Sequence, residues 1–319
     1  MRRKMIAMLP AAAACCVTSA LVAAPPPVQP LRPQEVEPPA QISEPVVRLL
    51  DQGAAPQREL RLAPEAGLKQ QVEMVMRMNT TVTMNGMQMP APAMPAIKTV
   101  MIIEVTEVAE NGDITSTFET TEAGGADGPL PPMYQGMFDG LVGMSGTTVM
   151  TNRGLTRKAD MQLPADADPM IRQQVESIEE NMTQMSAPFP AEAVGVGAKW
   201  EVKQRITSGG ITIDQTAVYE LVKSNEDVIE LAVQISQTAG EQPLNQPGLP
   251  PDASITLKSM SSTGSGMLSL LLGHIAPESA TMDMDSKVNA TMAMQGQSMN
   301  FDQAIKTSMA TSSQVGEGD

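Results

Sequence analysis

Residues 280–294 read ATMDMDSKVNATMAM, and apolar and polar side chains alternate along nearly the whole stretch. The even positions carry Met282, Met284, Met292 and Met294, whereas the odd positions carry mainly Thr, Asp, Lys and Asn. A period of two places successive side chains on opposite faces of a β-strand. A strand with one dry face and one wet face is typical of an antiparallel sheet that is covered on one side.

The same alternation appears before and after this stretch. Residues 68–84 place Met74, Met76 and Met78 on one face, with mainly polar residues between them. Phe301 resumes the pattern closer to the C-terminus. We therefore expect about a dozen antiparallel strands, several of them longer than the usual five or six residues.

Short turn motifs separate the alternating segments. Hairpin turns are predicted at Asn111–Asp113, Asn152–Gly154, Gly209–Gly210 and Asn225–Asp227, because Gly and Asn readily adopt the backbone angles that tight turns need. Gly264–Gly266 carries the same kind of signal, and a further turn is predicted there.

Two segments have helical periodicity. Asp168-Pro169 provides an N-cap and a first-turn proline, and apolar residues then recur every three or four positions up to Met185. A shorter helix is predicted over residues 132–143. The predicted fold class is mostly β (α+β). It is a long curved antiparallel sheet or half-barrel of about a dozen strands, with two helices against its apolar face.

The N-terminus has the composition of an export signal. Residues 1–4 read MRRK, and an apolar, alanine-rich stretch follows up to Ala24. Three fates remain open: cleavage near residues 20–24, lipidation at Cys15, or retention as an anchor. Each of them places the body of the protein outside the cytoplasm, in the periplasm or cell envelope.

The chain divides into four predicted parts. Residues 1–24 form the signal, and residues 25–57 form a linker with eight prolines in its first 21 positions. Such a run favours extended polyproline geometry. Residues 58–312 form a single β-rich domain, and residues 313–319 form a polar tail.

The charge of the chain excludes one class of partner. The net charge is −15, and removal of three basic residues with the first 24 changes it to −18. Such a chain repels phosphate backbones, so nucleic-acid binding is not expected. A membrane contact is expected only through an N-terminal lipid or anchor. The sequence gives no prediction for the oligomeric state.

The residues needed for common catalytic sites are scarce. The two cysteines, Cys15 and Cys16, lie in the signal segment, and His274 is the single histidine. Neither a zinc site nor a Ser-His-Asp triad is expected from this inventory. Trp200, which opens a strand, is interpreted as a structural residue. We predict no catalytic residues, no cofactor and no enzymatic activity.

The methionines are the distinctive feature of the composition. The chain has 27 methionines and only seven aromatic residues. They are interpreted either as core filler or as a deformable lining for a lipophilic ligand, since the thioether side chain adapts to irregular shapes. The candidate cavity residues are Met74, Met76, Met78, Met282, Met284, Met292, Met294 and Phe301.

A second methionine group lies among Gly and Pro residues. Met84, Met87, Met89 and Met94 fall within MNGMQMPAPAM. Thioether sulfur is a soft ligand that suits Cu(I). These four residues are the only metal candidates, and the alternative is that the segment is an apolar cover over the sheet.

One segment carries a resemblance to known sequences. Residues 189–200 read FPAEAVGVGAKW, and the V-x-V-G-x-x-W pattern in it resembles a group of uncharacterised bacterial exported proteins. The resemblance extends in layout over residues 67–310, and the group has no assigned function. The layout is also similar to the half-barrel of bacterial lipoprotein carriers, which implies a sheet and helices that enclose acyl chains.

Three functions follow from these observations as alternatives. The first is a non-enzymatic exported protein that holds a lipophilic ligand or envelope lipid between sheet and helices. The second is a structural or interaction protein of the envelope with a filled core. The third is a methionine-rich Cu(I)-binding protein.

Overall fold

The structure is a computed structural model, and it describes residues 44–89, 94–162, 188–208, 210–244, 253–294 and 297–316. Fourteen β-strands and one short α-helix make up the regular structure of these residues. In chain order they are β1 (Val46–Asp51), β2 (Lys69–Met84), β3 (Met87–Met89), β4 (Ile97–Val108), β5 (Ile114–Gly125), α1 (Pro132–Asp139), β6 (Ser145–Met150), β7 (Thr156–Gln162), β8 (Lys199–Ser208), β9 (Ile211–Ser224), β10 (Val228–Ala239), β11 (Gln242–Leu244), β12 (Ala253–Leu271), β13 (Ser279–Met294) and β14 (Gln297–Val315).

All fourteen strands belong to one antiparallel sheet. The strand order is β1-β8-β9-β10-β12-β13-β14-β2-β4-β5-β6-β7, while β11 pairs with β12 and β3 pairs with β2. Most neighbours are hairpin partners in the sequence. The two long-range pairings are β1 with β8 and β14 with β2, and the second brings the C-terminal strand beside the first long strand.

The sheet curls so that its two edge regions approach each other at one end. Residues 188–198 lead into β8, near the first edge, while Arg153 lies in the turn between β6 and β7, at the other edge. The Arg153 guanidinium donates to the Phe189 carbonyl oxygen through Nε at 3.0 Å and Nη2 at 2.7 Å. The Trp200 indole Nε1 donates to the Pro188 carbonyl oxygen at 3.0 Å. These bonds connect opposite edges through one short segment.

Residues 52–68, here called the capping segment, cross the same end of the sheet. Backbone hydrogen bonds join this segment to Val194, Asn152 and Leu272, which lie beside β8, β6 and β12, and to Val105 within β4. Leu60 is fully buried at its centre. The curled sheet is therefore closed at this end, which we call the capped end.

The main hydrophobic core lies behind the capping segment, on the concave side of the sheet. Its largest buried side chains include Trp200, Leu60, Ile103, Leu231 and Ile275. A second cluster of Ile, Leu, Met and Val side chains lies nearer the opposite ends of β8, β9, β12 and β13. The side of the sheet that carries both clusters is here called the inner face.

The predicted fold class, a sheet with two helices against its apolar face, is wrong. The described residues form an all-β structure whose single helix, α1, has eight residues and contacts the sheet at β5. The longer helix predicted for residues 168–185 falls outside the described residues. The apolar face is covered at the capped end by the curl of the sheet and by loop segments, because Leu60, Phe189 and Val194 from these loops enter the main core.

The sheet includes strand residues on both sides of the predicted β-rich domain, 58–312. β1 pairs with β8 from Val46 onward, so the sheet begins inside the segment predicted as linker. At the other end β14 continues to Val315, beyond the predicted boundary at residue 312.

The predicted turns have different outcomes. Asn111–Asp113 joins β4 to β5, Asn152–Gly154 joins β6 to β7, and Asn225–Asp227 joins β9 to β10, so these predictions are confirmed. The turn predicted at Gly264–Gly266 is wrong, because these residues lie within the continuous strand β12.

Candidate ligand-binding face

The inner face is uncharged across seven neighbouring strands. Along β8, β9, β10, β12, β13, β14 and β2, the strand register places only apolar residues, Gly, Ser, Thr and Gln at inner positions. This is the consequence of the period-two pattern, because each strand carries its Asp, Glu, Lys and Arg residues at the alternate positions. A buried charge on this face would lose its hydration without gaining a partner.

The outer face carries cross-strand ion pairs. Arg205 contacts Asp214 at 2.8 Å, and Lys306 contacts Asp285 at 2.7 Å. The Arg205 guanidinium lowers the pKa of the Asp214 carboxyl by a side-chain hydrogen bond. In the same way, Lys203 holds the pKa of Glu201 below its usual value. Direct cross-strand pairs of this kind stabilise register more than they stabilise the fold as a whole.

A group of half-buried side chains occupies the inner face of β2, β13 and β14. They differ from the core residues because each keeps part of its surface accessible. We call this group the methionine strip, and it consists of Met74, Met76, Met78, Met84, Met292, Met294, Met299 and Phe301. The strip is continuous with the main core, since Met309 of β14, the cross-strand partner of Met76, is buried there.

The predicted cavity residues divide into two sets. Met282 and Met284 are 3% and 4% exposed and belong to the main core. Met74 is half-buried and packs against that core, whereas Met76, Met78, Met292, Met294 and Phe301 lie on the strip. All eight therefore share the inner face, but Met282 and Met284 are buried more deeply than the other six. Their role as a ligand lining stays a prediction.

Glycines in β12 explain how two methionines fit in the core. Gly264 and Gly266 are the direct cross-strand partners of Met284 and Met282. A Cβ atom at Gly264 would lie 2.5 Å from the Met284 Cγ, and one at Gly266 would lie 3.0 Å from the Met282 Cε. The methionine side chains thus occupy the volume that the glycines leave free.

Three of the four predicted metal candidates lie close together in the β2–β3 hairpin. Met84 and Met87 are cross-strand partners in the β2–β3 hairpin, and Met89 faces the same side, opposite Val82. Met94 lies outside β3, in the segment that precedes β4, and is half-buried. Three thioethers therefore share one side of the hairpin, and Met87 and Met89 are exposed.

Sequence analysis missed a row of polar residues on the inner face. Cross-strand pairing aligns them from β8 to β13, and all are buried. We call this row the polar band, and it consists of Gln204, Gln215, Gln237, Ser262 and Ser286. A signal for it was present in the sequence, since I-x-Q-T-A occurs both at 213–217 and at 235–239. The glutamine in each copy stands where the alternation calls for an apolar residue.

Trp200 and His274, the other two residues considered in the sequence, both lie among packed side chains or in a turn of the fold. Trp200 stacks on Tyr219 with ring centroids 5.6 Å apart, and burial raises the pKa of the Tyr219 hydroxyl far above its usual value. His274 follows β12 in a turn, where its Nδ1 is buried without a hydrogen-bond partner among the described residues. Within the described ranges, no three His, Cys, Asp or Glu side chains are grouped so that they could hold a metal ion.

Some predictions concern residues that the structure does not describe. Cys15 and the whole segment 1–24 lie outside the described residues, so the export signal and its fate stay predictions. Among the helices that are described, none is long and apolar enough to span a membrane.

These features define an all-β protein with one curled antiparallel sheet and an uncharged inner face. Residues 170–269 match the model of a family of unknown function, DUF6263. The matched range includes the V-x-V-G-x-x-W segment, but the likeness to lipoprotein carriers stays a prediction. No curated protein matches the chain.

A solved structure similar to this chain is the outer membrane protein OprG from Pseudomonas aeruginosa. The sequences are 8% identical, and the match covers 79% of this chain and 98% of that chain with a TM-score of 0.24. A likeness at this level supports no conclusion about function.

Proposed function

We propose that the protein is an exported, non-enzymatic protein of the cell envelope that binds the acyl chain of a lipophilic ligand along the methionine strip. The observation that carries the proposal is the half-buried state of the strip on an uncharged and mainly apolar face. The basic and apolar N-terminal segment supports export. The proposed role is shelter of the ligand, without chemical change.

The chemistry of the strip suits an acyl chain. The seven methionines of the strip lie on the neighbouring strands β2, β14 and β13, and Phe301 lies beside Met84. Methionine side chains are unbranched and polarizable, so they adapt to a flexible hydrocarbon better than branched residues do. An apolar surface that stays partly accessible is typical of ligand sites.

The dimensions of the strip are also suitable. Met74 and Met84 are ten residues apart on one strand, which corresponds to about 33 Å at the rise of an extended chain. The inner positions between them are Met76, Met78, Thr80 and Val82. An extended acyl chain that lies along β2 would therefore meet uncharged side chains over its whole length.

The test compares an inner and an outer substitution on the same strand. Met78→Glu places a carboxylate on the strip, and Asn79→Glu places the same group on the outer face. We expect the wild-type chain to bind a fluorescent acyl probe saturably, and Met78→Glu to weaken binding at least about tenfold because the charge must be desolvated beneath the ligand. Asn79→Glu should bind as the wild type does.

Two results would contradict the proposal. Equal losses in both variants would mean that the ligand does not lie on the inner face. A wild-type chain without saturable binding, and without co-purified lipid in native mass spectrometry, would favour the structural protein with a filled core. Thermal melts of both variants control for unfolding.

The β2–β3 hairpin supports Cu(I) binding as a second function. Met84, Met87 and Met89 share one side of the hairpin, and Cu(I) accepts thioether ligands. Competition with a colorimetric Cu(I) chelator tests this function. We expect the wild type to withdraw one Cu(I) ion, and the triple Met→Leu variant at these positions to withdraw none.

The matched control for copper is Met267→Leu, because Met267 is an exposed methionine on β12. Leucine keeps the apolar volume, so the triple variant should still bind the acyl probe. A wild type that takes no copper from the chelator, or a triple variant that still does, would exclude the hairpin as a copper site.

A further inference from the structure

The polar band interrupts the apolar inner face where an uninterrupted core is expected. Gln204 pairs with Gln215 across β8 and β9, Gln215 with Gln237 across β9 and β10, and the row continues to Ser262 and Ser286. Gln204, Gln215 and Gln237 are 7%, 5% and 1% exposed. Buried polar groups are normally hydrogen-bonded, so each such side chain requires partners.

Two of the acceptors in the band have no donor. Gln237 Nε2 donates to Gln215 Oε1 at 2.6 Å, and Ser262 Oγ donates to Ser286 Oγ at 2.8 Å. Gln204 Oε1 and Gln237 Oε1 are buried without a hydrogen-bond partner among the described residues. An unpaired buried acceptor is unfavourable, and a bound group that donates to it removes this penalty.

Another buried glutamine shows what a structural amide looks like in this protein. Gln70 Oε1 accepts from the backbone N–H groups of Ile275 and Ala276, at 3.0 Å and 3.2 Å. Its Nε2 donates to the Ser313 hydroxyl and to the Ala276 carbonyl oxygen, at 3.2 Å and 3.3 Å. Gln70 uses both ends of its amide within the chain, whereas Gln204 and Gln237 do not.

The position of the two free acceptors restricts the ligand that would fit. β8, β9 and β10 are consecutive, so Gln204 and Gln237 lie two strand spacings apart, about 10 Å. Both oxygens accept, and the inner face offers no charged residue on these strands. The matching group is therefore neutral and carries more than one donor, as a polyol does. An ionised carboxylate has no donor to offer.

We propose that the polar band binds the hydroxyl-bearing headgroup of a neutral amphiphile, for which monoacylglycerols are the simplest representatives. The inference rests on the proposed function, because it names the class of ligand whose acyl chain lies on the methionine strip. The two surfaces are connected, since the cross-strand row of the band continues through Ile305 of β14 to Thr80 of β2. Thr80 lies between Met78 and Val82 on the strip.

The test uses two neutral esters of the same fatty acid with the full chain. Monopalmitoylglycerol carries two hydroxyl groups, and methyl palmitate carries none. We expect the glyceride to displace the fluorescent acyl probe at a concentration at least about tenfold lower than the methyl ester does, as one or two additional hydrogen bonds predict. Palmitate, with an ionised carboxylate, should bind no better than the methyl ester.

Leucine substitutions locate the preference. Gln204→Leu and Gln237→Leu should each reduce the ratio of the two affinities severalfold and leave methyl palmitate binding unchanged. Thr238→Leu is the control, because Thr238 is the exposed neighbour of Gln237 on the same strand. Thermal melts verify the fold of each variant, and Gln204→Leu alone decides the matter if Gln237→Leu does not fold.

The outcomes separate this inference from the proposed function. Equal affinities of the wild type for the two esters would overturn the headgroup site while leaving acyl-chain binding in place. A preference that survives both leucine variants would overturn the polar band as its origin. A crystal structure of the glyceride complex with only ordered water on the two oxygens would do the same. Failure of both esters to displace the probe would contradict the proposed function itself.

Discussion

The capped end and the methionine strip belong to the same inner face of one sheet, but they are built from different side chains. At the capped end the core contains Trp200, Tyr219, Phe118 and Phe189, together with many Leu and Ile residues. On the strip, methionine predominates and Phe301 is the single aromatic residue. Four of the seven aromatic residues of the chain are therefore packed where the sheet is closed.

Two buried or half-buried polar side chains at the capped end are paired, although the nearby His274 Nδ1 has no hydrogen-bond partner among the described residues. At the capped end Arg153 donates twice to the Phe189 carbonyl oxygen, and Gln70 uses both ends of its amide. Burial lowers the pKa of the Arg153 guanidinium, and the positive charge of Arg61 lowers it further. Away from the cap, the polar band leaves Gln204 Oε1 and Gln237 Oε1 unpaired among the described residues.

The comparison indicates that the two regions of the sheet have different roles, one in stability and one in the proposed ligand binding. Rigid side chains with mostly paired polar groups favour a unique packed core, whereas flexible side chains and unpaired acceptors leave interactions available to a ligand. Methionine is thus not a general replacement for aromatic residues in this protein. It predominates where the inner face remains accessible.

The largest expected effect concerns the boundary between the two regions. Met282 is buried in the main core and Asp283, the next residue, is exposed on the outer face. Met282→Asp should lower the free energy of unfolding by about 3 to 5 kcal/mol, because the new carboxylate has no partner. Asp283→Met should change it by no more than about 0.5 kcal/mol. Chemical denaturation measures both, and equal losses would mean that β13 has no closed face.

The alternation in β13 was sufficient to predict which of its faces is buried. Met282, Met284 and Val288 are all buried, as the pattern requires. Hairpin turns with Asn-Gly or Asn-x-Asp were equally visible. Local sequence determines these features directly, since the two-residue period and the turn residues act over a few positions.

The features that were missed depend on partners distant in the sequence. Gly264 suggested a turn, but its role is to leave space for Met284, 20 residues away in the sequence. The repeated I-x-Q-T-A segments indicate two glutamines of the polar band, but the full row is recognised only once β8, β9 and β10 are aligned in register. The capping by residues 52–68 was hidden for the same reason, because a proline-containing loop carries no periodic signal of its own.

The two kinds of buried glutamine offer a second way to sharpen the comparison. Gln70→Leu removes an amide that serves four groups at the capped end, and leaves two backbone N–H groups without an acceptor. It should cost about 2 to 3 kcal/mol of unfolding free energy. Gln237→Leu removes one unpaired acceptor but leaves the Gln215 Oε1 without its donor; because these two effects offset each other, the change should stay within about 1 kcal/mol.

Urea denaturation of the ligand-free chain measures this difference. A large loss for Gln237→Leu without ligand would indicate that the polar band holds the fold together and is no ligand site. A negligible loss for Gln70→Leu would remove the contrast between the paired and the unpaired amides.

The glycines provide a smaller effect within the core. A Cβ at Gly264 would meet the Met284 Cγ at 2.5 Å and the backbone oxygen of Asp283 at 2.9 Å. Gly264→Ala should therefore cost about 1 to 2 kcal/mol, since the strand and the methionine must both shift. Gly240→Ala is the control, because no atom lies within 4 Å of its added Cβ. Thermal unfolding compares the two, and similar melting temperatures would mean that the methionine moves aside freely.

The smallest expected effect lies on the outer face, directly behind the polar band. Arg205 and Asp214 are cross-strand partners beside Gln204 and Gln215, and their side chains are exposed. The hydrogen bond from Arg205 lowers the pKa of Asp214 in the folded chain below its usual value. A carboxyl group whose pKa is lowered on folding contributes to stability at pH values above its unfolded-state pKa. This contribution is lost as the pH falls through the folded-state pKa.

Asp214→Asn should accordingly melt slightly below the wild type at pH 6 and lose less of its melting temperature between pH 5 and pH 2.5, ranges that bracket the affected carboxyl pKa values. The difference should shrink in high salt, because the pair is exposed to screening. Binding of the acyl probe and the preference for the glyceride should be unchanged at pH 6, since the pair faces away from the inner face. An Asp214→Asn variant that loses the glyceride preference would show that the outer-face ion pair affects the inner face. The glyceride preference could then not be assigned to the polar band alone.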